Sequence, residues 1–540
     1  MLPKPTPYQY EWQEMERLAM LSISPATWSS VEHDDLSYPI EKIEMSHFDA
    51  DQWCKAALLW GAREIVFVAK HVGGFCFWQT DTTEYSIKNT AFRGGKGDVL
   101  DDIYNACLRN GLKFGLYLSP ADISHGAYVG GGGKTVIPED QEKYAAIFRR
   151  QMTEILQKYP ETFEVWFDGS IIIPVSDILE KYVPNAIILQ GKERANIRWA
   201  GNEDAQIPYP SWSTVSAEDG RTGLATASNG TPDGDVWAPI EADVPLYNHY
   251  WFWRPEKEES RYSLDELMLM YYKSIGRSAC MMLNICPNTD GLVPEKDMDR
   301  YEAFGKEIER RFSKPIGRAS GKGTCLELHF DSPETVNHVI LMENYQDGER
   351  VREFTVSAKK DGKWLPVVSD GSMIGRKQIF VFPDTEIDAL RLEITKAVGE
   401  PEILAMEAYC VDGVDISRLC EDLKKKKYIF DMVGMMTLDA KQTPDQWSDL
   451  VVDVSRQVKK AGQYTIIFIP DNEDKFEIDT CVLVLEGMET EGLVSRSNGN
   501  SFVFTRSAAV DKNIGSTTKL RVRYRSDVPE LRMKVYVNTL

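Results

Sequence analysis

The run Phe163-Glu-Val-Trp-Phe-Asp168-Gly-Ser170 decides how the chain is read. A short apolar stretch that stops at Trp-Phe-Asp-Gly has the pattern of a buried strand whose C-terminal tip carries one carboxylate, Asp168. Asp-Gly is also ordinary turn chemistry, so the flanking sequence has to decide. Outward from this run, as far as about Phe312, short apolar runs alternate with helical patterns. Leu18–Ile23, Glu64–Ala69, Lys113–Ser119, Ala186–Gln190 and Ala279–Ile285 read as further strands. Asp49–Trp60, Asp98–Asn110 (stopped by Gly111) and Asp140–Lys158 read as amphipathic helices that start at Asp. Such alternation over ~300 residues predicts a (β/α)8-like barrel, in which strand tips converge on one mouth. An open doubly wound sheet is the alternative. No glycine-rich phosphate loop supports it, because Gly130–Gly133 follows no strand–helix junction and reads as a flexible surface loop.

Near Arg310–Gly323 the character changes: Pro, Gly, Ser and Lys cluster, and helical periodicity largely disappears. Cys325–Phe330, Val336–Glu343, Glu353–Lys359, Gln378–Phe382, Ala389–Thr395 and Ala405–Val411 alternate as strands do. A sandwich of about 100 residues is predicted there. Past the basic run Lys424–Lys427, read as a solvated linker face, a second strand-rich segment continues to Leu540. The chain is therefore multidomain: a β/α barrel over residues 1–315, a β-sandwich over 316–413 and a second β-sandwich-like domain over 414–540.

A chain of 540 residues with a net charge of −21 repels nucleic-acid backbones and anionic membranes, so neither is expected as a partner. No apolar run is long enough to span a bilayer. A neutral ligand fits this charge best, and the 13 Trp residues suit sugar faces. Nine Cys without a Cys-x-x-Cys read as mostly reduced thiols, and seven dispersed His without zinc-type spacing predict no catalytic metal. The start, Met-Leu-Pro-Lys-Pro, has no signal-peptide pattern, although a removed signal would leave no trace. Oligomeric state is not legible in the sequence.

Several blocks carry polar or aromatic residues at strand tips. They are Lys70-His71-Val72-Gly73-Gly74-Phe75-Cys76-Phe77-Trp78, Gly115–Pro120, Trp166–Gly169, Arg198-Trp199-Ala-Gly-Asn-Glu203, Trp237-x-Pro239-x-Glu241-x-Asp243 and Leu283-Asn284. In this order they resemble the α-L-fucosidase family, glycoside hydrolase family 29. The resemblance covers the first 310 or so residues. It implies a retaining exo-glycosidase that removes terminal α-L-fucosyl residues from oligosaccharides or glycans by double displacement. Asp168 would be the nucleophile and Glu241 the acid/base, with Glu203 and Asp243 as rivals for the acid role. Glu32 and His71 would reach sugar hydroxyls, and Trp78, Trp166 and Trp251 would form the apolar wall. Two carboxyls are needed because one attacks the anomeric carbon while the other lends and recovers a proton.

Departures from the family pattern bear on the sugar. Val72 stands where the family has a second histidine, Ser22-Ile23-Ser24 replaces a His-Phe-Gly pair, and Glu32-His33 matches a Glu-Trp loosely. A glycosidase for another galacto-configured sugar, such as a β-galactoside, therefore stays open, as does a catalytically inactive carbohydrate-binding protein. The segment from 316 resembles discoidin-like carbohydrate-binding sandwiches. No cofactor is expected; a structural Ca²⁺ would suit such a sandwich, but no ligand set in the sequence supports it. The resemblance favours a periplasmic or secreted location if a signal peptide has been removed.

Overall fold

The structure, a computed structural model, describes residues 2–169, 171–191, 195–217, 229–248, 250–414, 418–419, 432–441, 443–455, 458, 462–470, 476–485, 488–491, 493–495, 501–506 and 518–539. Its N-terminal part is a parallel barrel with β1 at Arg17–Leu21, β2 at Glu64–Lys70, β3 at Lys113–Leu118, β4 at Thr162–Trp166 and β5 at Ile187–Leu189. It continues with β6 at Arg198–Trp199, a hairpin of β7 (Thr214–Val215) and β8 (Val236–Trp237), β9 at Ile240–Val244 and β10 at Cys280–Ile285. The eight-stranded sheet runs in the order β5-β4-β3-β2-β1-β10-β9-β6, and one parallel bridge, Leu189 to Ile197, joins its two ends. All six expected strands are present. β6 and β9 were not legible: β6 has two residues, and β9 interleaves Glu241 and Asp243 with apolar positions. Helices fill the outer layer. Asp49 caps Ala50–Leu59 and Asp98 caps Val99–Arg109, each side chain accepting N–H bonds from the first turn.

The helix Pro7–Met15 plugs the lower end of the barrel, sending Trp12 and Met15 into the interior cluster with Leu18, Val66, Tyr117 and Trp166. That interior is not wholly apolar. Glu64, Glu164 and Glu241 are each fully buried. Gly115 makes the room, since a Cβ there would sit 3.0 Å from the Glu64 Oε1 and 2.7 Å from Val66. Trp12 donates its indole N–H to Glu164 at 2.8 Å, and Trp166 donates to Glu241 at 2.7 Å. Burial pushes all three carboxyls well above their ordinary range, and each is raised further by a neighbour: Glu64 by Glu241, Glu164 by Glu64, Glu241 by Glu164.

A stability prediction follows from that direction. Carboxyls whose folded pKa is raised bind more protons in the native state. Their contribution is complete below the unfolded value of about 4.3 and is lost as pH rises through the folded value. The melting temperature is therefore expected to fall as pH is raised from about 5 toward 9. Glu64→Gln, neutral throughout, should flatten that slope; an unchanged slope in calorimetry would refute the assignment.

Residues 316–413 were expected to hold separate short strands, but several of these merge. β11 (Gly317–Lys322), β12 (Cys325–Glu343), β13 (Val351–Lys360), β14 (Lys363–Gly371), β15 (Gln378–Ala397) and β16 (Glu402–Tyr409) form one antiparallel sheet, β11-β16-β12-β15-β13-β14. Bulges in the β12–β15 register, at His329/Glu334 and Val336/His338, interrupt and bend the two long strands. One face thereby encloses a core of Val339, Phe354, Leu390, Leu392 and Met406. The Pro/Gly-rich stretch read as a boundary is occupied by β11, preceded by the helix Glu295–Phe312. The domain grips the barrel. Glu349 accepts the Ser213 N–H at 3.1 Å, Lys377 pairs with Glu16 at 2.5 Å, and Tyr272 bonds the ring of His338 at 2.8 Å.

In the C-terminal part, β17 (Met432–Lys441), β18 (Ser448–Asp453), β19 (Gly462–Pro470), β20 (Phe476–Leu485), β21 (Met488–Glu491), β22 (Leu493–Ser495), β23 (Ser501–Arg506), β24 (Thr518–Ser526) and β25 (Glu530–Thr539) form two sheets, β17-β25-β19-β23-β22 and β18-β24-β20-β21. They enclose a shared core of Tyr464, Phe468, Leu483, Val522 and Val535. Lys424–Lys427 lies outside the described residues.

Candidate active site

Asp168 stands two residues past the end of β4, at the C-terminal mouth of the barrel. Its Oδ2 accepts the Tyr117 phenol at 2.8 Å. Burial raises the Asp168 carboxyl above its ordinary value, and the Tyr117 hydrogen bond opposes that rise by favouring the anion. Gly169 takes φ +84° and donates its N–H to Gln190 at 2.6 Å, which fixes the turn beneath the carboxylate. A Cβ on Gly169 would come within 3.3 Å of Gly130. The four-glycine run is thus packed beside the Asp168 turn: Gly132 and Gly133 are buried, and Gly132 accepts the Ile172 N–H at 2.8 Å. The reading of a flexible surface loop is corrected accordingly.

Glu203 is a buried carboxyl within electrostatic reach of Asp168. Burial, with the negative charges of Asp168 and Asp204, raises it to about 7, while a hydrogen bond from the Trp251 side chain pulls the other way. Its loop hangs from β9, where Glu241 O accepts the Ala200 N–H at 2.9 Å and Asp243 O accepts that of Ala205 at 3.2 Å. Trp251 is clamped on both sides. Its N–H donates to Glu32 at 2.8 Å, and its carbonyl accepts Asn284 Nδ2 at 2.8 Å. Glu32 also pairs with Arg254 at 2.7 Å; burial holds it at about 7 despite that cation. Asp243 accepts the Trp199 indole at 2.5 Å and is pushed well up by burial and by Glu203.

Glu241 was expected opposite Asp168 at the mouth, and the geometry puts it elsewhere. It is the second residue of β9 and pairs with Cys280, the first of β10. The Cys280 thiol reaches the carbonyl of Trp12 in the plugging helix at 3.5 Å. Glu241 is therefore deep in the barrel and wholly buried; its Oε1 holds Trp166, and its carboxyl also hydrogen-bonds that of Glu164. Trp78, expected in the sugar wall, sits in the layer between strands and helices, 4% exposed. Trp166 belongs to the interior cluster that contains Tyr117, and Trp251 packs against that cluster.

The altered family positions are filled in specific ways. Ser22 donates to Asn284 at 2.7 Å, so it supports the residue that holds Trp251. Val72 is buried and apolar. A Cβ on Gly73 would lie 2.2 Å from the Asp34 carboxylate, and one on Gly74 would lie 2.1 Å from that of Asp122. These glycines make room for carboxylates rather than for a ligand. His71 stacks on Tyr117 at 5.9 Å and meets Phe252 edge-on at 4.9 Å. Sequence reasoning did not single out Tyr117, Arg254 or His33, which the structure places against Asp168, Glu32 and His71 respectively. Tyr117 carried a signal as a polar residue near a strand tip, and His33 as the second member of the Glu32-His33 pair.

One carboxylate bound by a phenol, a second carboxyl that keeps its proton to near neutrality, and walls of indole at a barrel mouth define the class: a glycoside hydrolase. The comparisons agree. The sequence model of the family described as Alpha-L-fucosidase matches residues 8–311. Alpha-L-fucosidase 1 of Arabidopsis thaliana is 29% identical over 459 residues, covering 76% of this chain and 88% of that protein. A solved Bacteroides thetaiotaomicron protein assigned as an α-L-fucosidase is 33% identical, with a TM-score of 0.71, covering 76% of this chain and all of that one. A glycoside hydrolase 29 family member from an unknown rumen bacterium is 26% identical over the whole of both chains, with a TM-score of 0.69. The chain belongs to the α-L-fucosidase family, glycoside hydrolase family 29, whose members are retaining enzymes.

Proposed function

We propose that this chain removes terminal α-L-fucosyl residues from oligosaccharides or glycans, with Asp168 as nucleophile and Glu203 as acid/base. The observation that carries the reading is the placement of Glu203, a buried carboxyl bonded by the Trp251 side chain and raised in part by the charge of Asp168, which the Tyr117 phenol binds. In the first step Glu203 gives its proton to the departing glycosidic oxygen as Asp168 attacks the anomeric carbon. In the second, Glu203 takes a proton from water, and that water releases the sugar from Asp168. Trp166 and Trp251 face the apolar side of the sugar, and Glu32 and His71 meet hydroxyls. A panel of aryl glycosides tests the sugar. Turnover is expected to be fastest on the α-L-fucoside, with net retention seen by proton NMR. Faster turnover of a β-D-galactoside would overturn the sugar assignment, and no turnover of any member would leave a binding protein.

In this reading Glu241 supports the nucleophile at a distance, by orienting Trp166, which stacks on Tyr117 at 5.1 Å. A buried carboxylic acid and an amide present similar donors and acceptors. Glu241→Gln is therefore expected to keep kcat within about 10-fold of the parent, whereas removing a true acid/base costs ~10²–10⁴-fold. Abolished turnover in Glu241→Gln would return the acid role to Glu241.

A further inference from the structure

Glu203 stands on a stretch without regular secondary structure that leaves β6 and ends at the β7–β8 hairpin. The two ends of this stretch meet: the guanidinium of Arg198, in β6, donates to the Trp212 carbonyl at 2.5 Å. Near Glu203 the barrel holds the chain, through the β9 carbonyls and through the Lys273 carbonyl, which accepts the Ile207 N–H at 2.9 Å. Ala205, two residues after Glu203, is fully buried and takes φ +47°. An L-residue stays in that left-handed region only where its surroundings hold it there.

The next anchors belong to the second domain. The Tyr209 hydroxyl accepts the Ser372 and Met373 N–H groups at 2.8 and 3.2 Å and donates to the Met373 carbonyl at 3.1 Å. Its ring meets Phe380 of β15 edge-on at 5.7 Å. Ser211 donates its N–H to the Met373 sulfur at 3.0 Å, and Ser213 donates to Glu349 at 3.1 Å. Arg352 of β13 covers the Trp212 ring at 4.7 Å and reaches the Pro232 carbonyl, within the hairpin insertion, at 3.1 Å. The segment that follows Glu203 therefore lies in the seam between the barrel and the second domain.

A general acid works only within hydrogen-bonding reach of the departing oxygen, and an error of about 1 Å in its placement can cost ~10²-fold in rate. A loop with no helix or strand of its own reaches that precision only through its anchors. Resting on the assignment of Glu203 as acid/base, we propose that the domain over 316–413 completes the acid machinery. Tyr209, seated on Ser372 and Met373, and Glu349, seated against Ser213, are positioning residues that fix the Glu203 loop. Both act through Glu203 rather than on the sugar.

The test uses the intact chain and two α-L-fucosides, one with an activated aryl leaving group and one with an alcohol leaving group. Glu203→Ala is measured alongside as the reference for a lost acid. Tyr209→Phe removes one hydroxyl and keeps the ring. It is expected to lower kcat/KM by ~10-fold or more on the alcohol substrate and by less than ~3-fold on the aryl one. Glu349→Ala should show the same split, with Glu349→Gln, which keeps an acceptor for Ser213, recovering most of the loss. In the Glu203→Ala background Tyr209→Phe should cost nothing further, because a residue that acts through Glu203 has nothing left to position. Tyr272→Phe, which cuts the bond to His338 elsewhere in the seam, should leave both substrates unchanged. A split there would trace the effect to general loosening of the seam and overturn the assignment. Equal losses on the two substrates, no loss in Tyr209→Phe and Glu349→Ala, or an additive loss in the double variant would also overturn it. Should these variants fail to fold, Arg352→Ala carries the same comparison: a loss that depends on the leaving group supports the inference, and an equal loss or none overturns it. If Glu203→Ala itself shows no leaving-group dependence, the acid assignment fails and this inference with it. If it does, failure of the Tyr209 and Glu349 variants counts against the second domain's role alone.

Discussion

Asp168→Ala is expected to lower kcat on an aryl α-L-fucoside by roughly 10⁴-fold or more, the largest effect of any single substitution in this chain. The loss reflects a missing bond. Without the carboxylate no glycosyl-enzyme forms, and the remaining groups at the mouth offer only binding and proton transfer. Tyr117 donates to Asp168 without reacting, so Tyr117→Phe should cost far less, leaving the carboxylate in place but less well oriented. Stopped assays on both variants, with folding checked by circular dichroism, measure the contrast. Near-parental activity in Asp168→Ala would remove it as nucleophile.

Glu203→Ala should show the next largest loss, and the loss should depend on the leaving group. For a natural glycan, whose departing alkoxide needs a proton, a decrease of ~10²–10⁴-fold is expected. An activated aryl fucoside should lose less in the first step. Added azide should rescue turnover of the aryl substrate and yield a fucosyl azide, because a small anion needs no general base. The pH profile gives a second readout. Glu203 must be protonated for the first step, and its carboxyl is raised to about 7. The value of kcat/KM should therefore fall as pH rises past that point, and Glu203→Gln should lose this limb. If the limb stays and azide has no effect, Asp243 is the next carboxyl to test, since it is also raised and borders Glu203.

How much of this was readable beforehand depended on what each residue's position requires. Asp168 was legible because an apolar strand ending in Trp-Phe-Asp-Gly is a local pattern, and parallel barrel strands share one functional end. The Asp-capped helices and six barrel strands were legible for the same reason. Which of the candidate carboxyls lies within reach of the Asp168 charge was not. Glu203 and Glu241 both lie in short aromatic-rich motifs, and nothing local separates them. What separates them is depth: pairing with Cys280 sinks Glu241 toward the plugged end, while β9 carbonyls suspend the Glu203 loop above it. Likewise, the long strands β12 and β15 were read as pairs of short ones, because turn-like residues within them form bulges rather than turns.

By itself, then, the amino-acid order determined the alternation of strands and helices, the change to β-rich domains past the barrel, the family, and the carboxylate at the tip of β4. Each of these rests on contacts or periodicities within a few residues, or on motifs in a fixed order. Only the tertiary structure decided that Glu203, rather than the deeper Glu241, lies within reach of Asp168's charge, that Trp78 packs between strands and helices, and that His33 stacks on His71. Those relations depend on strand register and on the closing of the barrel, which set depth and neighbours across the sheet. No pattern along the chain encodes them.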